Sequence, residues 1–93
     1  MNRSELVTVV AERAQVDPKS CDRIVRLLTD TIMENVARGE KITISGFGTF
    51  ERRRRKATVA RNPQTGEPMQ ISEQNVAAFR AGSSLKDAVK TEE

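Results

Sequence analysis

At 93 residues, with 37% apolar content and Phe47, Phe50 and Phe79 as its only aromatics, the chain fits a single domain with a thin core, since a domain this small buries about 60–65% of its unfolded surface. A lone cysteine, Cys21, and the lack of histidine exclude an intramolecular disulfide, a cysteine/histidine zinc site and histidine-based catalysis. The formal net charge of +3 is unevenly placed: residues 51–61 carry Arg52, Arg53, Arg54, Arg55, Lys56 and Arg61 against Glu51 alone, and such a concentration calls for a polyanionic partner, nucleic acid before anionic lipid.

Asn2 and Glu5 have the spacing of a helix cap and its N3 partner, and Leu6, Val9 and Val10 then mark one helical face. A first helix is expected over about 3–14. The same N-terminal residues contain no apolar signal core, and no stretch approaches the ~20 apolar residues of a membrane span. The expectation is a soluble, unexported protein. Asp17 then suits an N-cap and Pro18 the first helical position, where no amide donor is needed. Cys21, Ile24, Val25, Leu28, Ile32 and Val36 recur at three- and four-residue spacing from there to Gly39, a natural left-handed stop. This predicts a second helix over about 18–38 whose stripe needs a partner, with Leu27 and Met33 off the stripe and free to face a second subunit.

After Gly39 the period becomes two. Ile42 and Ile44 alternate with polar residues, Gly46-Phe47-Gly48 supplies a tight turn, and Thr49-Phe50 starts the return of a hairpin. That strand runs into Arg52 to Lys56, where both parities are charged, so neither face can lie on a core and the segment must project into solvent. Asn62-Pro63-Gln64-Thr65-Gly66 is a turn cluster, and Glu67 to Ser72 reads as the returning strand. The reading is a sheet over about 41–81 with an arm over about 52–72, closed by a short strand at Val76 to Phe79. Gly82-Ser83-Ser84 then breaks the chain and caps a helix over about 84–90 bearing Leu85, Ala88 and Val89, and Thr91-Glu92-Glu93 is expected to fray. The order is α-α-β-β-β-α: an α+β fold with a helical hairpin, a three-stranded antiparallel sheet carrying a long protruding arm, and a C-terminal helix.

A run of arginines alone is commonly a solvated surface. Set between an apolar strand and a turn, it becomes a ribbon of guanidinium groups able to neutralise successive phosphates and enter a groove. Pro63 fixes its own φ and biases Asn62 to an extended conformation, which suffices for a turn; at the tip beside Arg61 it is also a rigid apolar ring in a basic setting. Cys21, on the apolar stripe, reads as a small buried hydrophobe. The three phenylalanines read as core or dimer-interface packing, since no base-stacking motif surrounds them. Acidic residues are scattered, without the spacing of a metal or acid/base pair, so the chain is not read as an enzyme and no cofactor is expected.

Gly46-Phe47-Gly48-Thr49-Phe50-Glu51 with Arg61-Asn62-Pro63-Gln64-Thr65-Gly66-Glu67 resembles the signature of the bacterial histone-like HU family, and Phe79-Arg80-Ala81-Gly82 to Leu85-Lys86-Asp87-Ala88-Val89-Lys90 resembles that family's C-terminal end. The resemblance spans nearly the whole chain. It implies an intertwined homodimer of the bacterial nucleoid, in the cytoplasm, whose two arms embrace double-stranded DNA and condense and bend it with little sequence preference, favouring bent or nicked duplex. HU proteins and their relatives place wedges between base steps in the minor groove, and the resemblance gives that role to Pro63 with Asn62 beside it. It assigns backbone and groove contacts to Arg53, Arg55 and Arg61, and body contacts to Arg80 and Lys86. Thr58, Ala60 and Ser83 depart from the family's usual basic residue, glycine and lysine, weakening three contacts. Arg52, Arg54 and Lys56 are additional charges, expected to compensate by holding phosphates from the arm's other face.

Three other readings stay open. A sequence-preferring relative of the integration host factor kind would differ in discriminating one DNA site from random duplex. An anionic-membrane module would set its basic residues beside a large apolar face, which this arm lacks. RNA is a further possible partner.

Overall fold

Polar caps start both long helices. In the computed structural model, which describes residues 1–90, Asn2 Oδ1 accepts the Glu5 amide at 2.9 Å and α1 runs Arg3–Ala14. Asp17 Oδ1 accepts the Ser20 amide at 2.9 Å, and α2 runs Pro18–Ala37 with its proline first, where no donor is lost. The expected fraying of 91–93 lies outside the described residues.

The chain divides into two compact units, Met1–Glu34 and a second beginning at Asn35. The first has a core of Val7, Ala11 and Cys21, with Val25 packed against it. Cys21 Sγ donates to the Val7 carbonyl at 3.6 Å, a buried thiol packed as the stripe suggested. The face of α1 is corrected: Val7 and Ala11 turn inward, while Leu6, Val9 and Val10 stay exposed. Val7 and Ala11 are one helical turn apart and meet α2 of the same chain, so the larger side chains beside them are left without cover. On α2 the stripe is likewise only partly covered, with Ile24 61% and Leu28 51% exposed.

In the second unit α2 ends at Ala37, and Gly39, two residues beyond, takes a φ of +90° that is ordinary for glycine and strained for other residues. Its amide donates to the Val36 carbonyl at 2.9 Å and that of Glu40 to the Asn35 carbonyl at 3.0 Å, closing the helix end. Strands β1 (Ile42–Ile44), β2 (Gly48–Arg55) and β5 (Gln74–Ala81) form an antiparallel sheet in the order β1-β2-β5. β3 (Thr58–Arg61) and β4 (Pro68–Ile71) form a second, two-stranded ladder beyond it. The expected three-stranded sheet with a protruding hairpin arm is present, and the arm's ladder is separate from the sheet because Lys56-Ala57 and Ser72-Glu73 leave the pairing on facing strands. The last strand is also longer than Val76 to Phe79, since β2 pairs along all of it, from Gly48↔Ala81 to Arg55↔Gln74.

Pairing fixes which side chains share a face. Ile42 stands opposite Phe50, and Phe50 opposite Phe79, so these make one face; the Phe79 ring packs on Phe50 at 4.8 Å and on Phe47 at 5.6 Å between centroids. Thr43, Thr49, Glu51, Arg53, Arg55 and Arg80 make the other. α3 spans Ser83–Lys90, one residue earlier than expected. It begins where Gly82 passes so close to the Gly46 backbone that a Cβ would meet it at 2.6 Å. There the Gly46 carbonyl accepts the Leu85 amide at 3.1 Å, occupying one of the helix's free donors.

Candidate nucleic-acid interface

Glu51 organises the polar face of the sheet. It is the sole buried charged residue among those described, 8% exposed, and three cations converge on it: Arg80 Nε at 2.7 Å, Arg53 Nη2 at 3.2 Å and Lys41 Nζ at 3.9 Å. Burial pushes its carboxyl pKa upward, but the hydrogen bond from Arg53 and the charges of Arg80, Arg53 and Lys41 outweigh that and hold it below the usual carboxylate value. One carboxylate is thus shared by three cations, each with its stem in solvent, and the face stays basic. Arg55 continues it outward, exposed.

Arg52 and Arg54 occupy the opposite face. Arg52 Nη1 donates to the Ala37 carbonyl at 3.0 Å, and Arg54 reaches Glu73 Oε1 through Nε at 3.2 Å and Asn75 Oδ1 through Nη1 at 3.3 Å. Lys56 lies where the inner ladder ends and is exposed.

The arm's tip is built from its own side chains. Asn62 Oδ1 accepts the Gln64 amide at 2.9 Å, while the Asn62 backbone exchanges bonds with Glu67 and Gly66, at 2.9 and 2.7 Å. Arg61 Nη1 donates to the Gly66 carbonyl at 2.9 Å. Since a guanidinium has five donors, most of those on Arg61 remain for another acceptor. Inside this closed turn Pro63 is exposed, with Asn62 half-buried behind it. Lys86 is exposed on α3.

Of the residues singled out in the sequence, the sheet places Arg53, Arg55 and Arg80 on one face, with Arg53 and Arg80 meeting at Glu51, while Arg61, Asn62 and Pro63 gather at the tip. Lys41 and Glu51 were passed over. Their signal was parity: Glu51 is two residues before Arg53, and Lys41 two before Thr43, which places both on the polar face once the pairing is known. Phe47 and Phe79 are packed on each other yet 46% and 43% exposed. No helix among the described residues is long and apolar enough to cross a membrane, and no cluster among them has the makings of a metal site.

Residues 1–90 match the family model described as bacterial DNA-binding protein. DNA-binding protein HU 1 of Streptomyces coelicolor is 50% identical over 91 residues, covering 97% of this chain and 98% of that one. DNA-binding protein HU-1 of Halalkalibacterium halodurans is 47% identical over 90 residues, 97% of this chain and all of that one. Among solved structures, Anabaena HU in a cocrystal with DNA is similar with a TM-score of 0.90 at 46% identity, covering 96% of this chain and 97% of that one. HU from Thermotoga maritima is similar with a TM-score of 0.68 at 30% identity, covering 96% and 98%.

Proposed function

This chain belongs to the bacterial DNA-binding protein family, and on that premise we propose that it is an architectural protein of the nucleoid which binds duplex DNA as a homodimer, with low sequence preference, and bends it. The observation that carries the reading is the polar sheet face around Glu51, where Lys41, Arg53 and Arg80 share one carboxylate. With Arg55 beyond them, it leads into an arm whose exposed tip is Pro63. The likeness to an HU protein crystallised with DNA supports it. Arg53, Arg55 and Arg61 neutralise phosphates, Arg80 and Lys86 hold the duplex on the body, and Pro63 fills an unstacked base step beside Asn62. No step is catalytic, in keeping with the family.

Affinity then comes mainly from phosphate neutralisation and bending from the wedge. Released counterions make binding fall with salt, each phosphate contact adding roughly 0.9 to the log–log slope. Replacing Arg53, Arg55 or Arg61 by Ala removes one contact per subunit, so the slope should shrink by about 1.8 for a dimer. An unchanged slope in all three variants would place the interface elsewhere.

A further inference from the structure

The run Arg52–Arg55 looks uniform in the sequence, yet successive side chains of a strand point to opposite faces. Arg53 and Arg55 share the face of Glu51 and Arg80, and Arg52 and Arg54 that of Phe50 and Phe79. The acceptors met by these two pairs differ in kind. Arg52 donates to the carbonyl of Ala37, the last residue of α2, and lies so near Gly39 that a Cβ there would stand 2.9 Å from Nη2. α2 is 20 residues long and has no basic residue in its last turn. The C-terminal end of such a helix presents unpaired carbonyls and a partial negative charge. Arg52 brings from β2 a cation to the Ala37 carbonyl, where the last turn of α2 has none and the Arg38 side chain just past it turns to Asn35 Oδ1. Arg54 holds Glu73 and Asn75 at the place where the inner ladder gives way to the outer one.

We propose, on the reading that this arm binds duplex DNA, that the arginine run is divided by strand parity. Arg52 and Arg54 are positioning residues that set the arm's root against the end of α2 and against β5, while Arg53 and Arg55 meet phosphate. Charge balance follows the same division. Lys41, Arg53, Arg55 and Arg80 stand against the single carboxylate of Glu51, whereas on the other face Arg54 is matched by Glu73 and Arg52 by the helix end. On this division Arg52 and Arg54, turned to the face opposite Arg53 and Arg55 and matched there by the helix end and by Glu73, displace no counterion from DNA. Their loss changes how the arm is held, leaving the number of phosphates met unchanged.

The test compares full-length Arg52→Ala, Arg54→Ala and Arg55→Ala proteins, measuring affinity for a random-sequence duplex across a salt series together with amide hydrogen exchange. Arg55→Ala should lower the log–log slope by about 1.8, two contacts at roughly 0.9 each. Arg52→Ala and Arg54→Ala should keep the parent slope and lose affinity several-fold at every salt concentration. Arg52→Ala should also speed exchange of the Arg38, Gly39 and Glu40 amides, which close the helix end, and Arg52→Lys, retaining a cationic donor, should restore their protection. A slope loss in Arg52→Ala or Arg54→Ala equal to that of Arg55→Ala overturns the division. If no variant moves the slope, the DNA interface itself is misplaced. The exchange readout then still decides Arg52, because unchanged protection in Arg52→Ala removes it from the helix end.

Discussion

Glu51 and Asp17 are carboxylates whose surroundings favour the charged form. For Asp17 the Ser20 hydroxyl is the main cause, followed by the Ser20 amide, and the pKa falls below its usual value. For Glu51, burial alone would raise it, and the cations around it reverse the sign. A folded-state pKa below the unfolded one means that the stabilisation is fully present above the ordinary carboxylate range and is lost as pH drops through the lowered folded value. Glu51→Gln keeps the shape and removes the charge. The variant should melt below the parent at neutral pH, and the gap should close on acidification through the carboxylate range. A gap of constant size at every pH would mean that packing, and not the ion cluster, is what the substitution disturbs.

Among elements, the helices were the most legible because their signals are local: Asn2, Asp17-Pro18 and Gly39 each act within a few residues, and α1 and α2 begin and end where those residues place them. The sheet was legible in kind but not in extent. Gln74 and Asn75 carry no strand signal of their own and are drawn into β5 by the backbone of β2, a pairing between residues about twenty apart in sequence. Parity alone divides Arg52–Arg55 between two faces, but what each face meets, the Ala37 carbonyl for Arg52 and the face of Arg80 for Arg53, depends on long-range pairing that the sequence does not display. The arm's tip was the reverse case, since Asn62-Pro63 and Gly66 specify their turn locally. That turn rests on Asn62 and Arg61 hydrogen bonds, which Pro63→Ala leaves intact. The variant should thus bind with its charge unchanged while losing the rigid ring. Unstacking a base step costs a few kcal/mol and is offset only when wedge and wrapped contacts are both present. Pro63→Ala should therefore lose more affinity for linear than for pre-kinked duplex and give a smaller bend by energy transfer between duplex ends. Equal bending by variant and parent would reduce Pro63 to a turn residue.

The whole molecule buries little apolar surface by itself. Val7, Ala11 and Cys21 are the only buried hydrophobic residues among those described, while Leu27 and Met33 are 55% and 61% exposed. On the proposed homodimer, a chain with so small a core gains its remaining stability from association, and two copies also bring two arms to one duplex. If only the associated state is folded, as the proposed dimer requires, the melting temperature should climb with protein concentration, and a folded monomer persisting at nanomolar dilution would contradict the dimer. The proposed bending would couple the same assembly to DNA shape, since a duplex already distorted lowers the deformation the protein must impose. Direct competition at one fixed salt concentration among linear duplex, nicked or pre-bent duplex, and RNA of equal length tests that coupling. The account predicts that the distorted duplex displaces both others, and preference for RNA, or equal affinity for straight and distorted duplex, would contradict it.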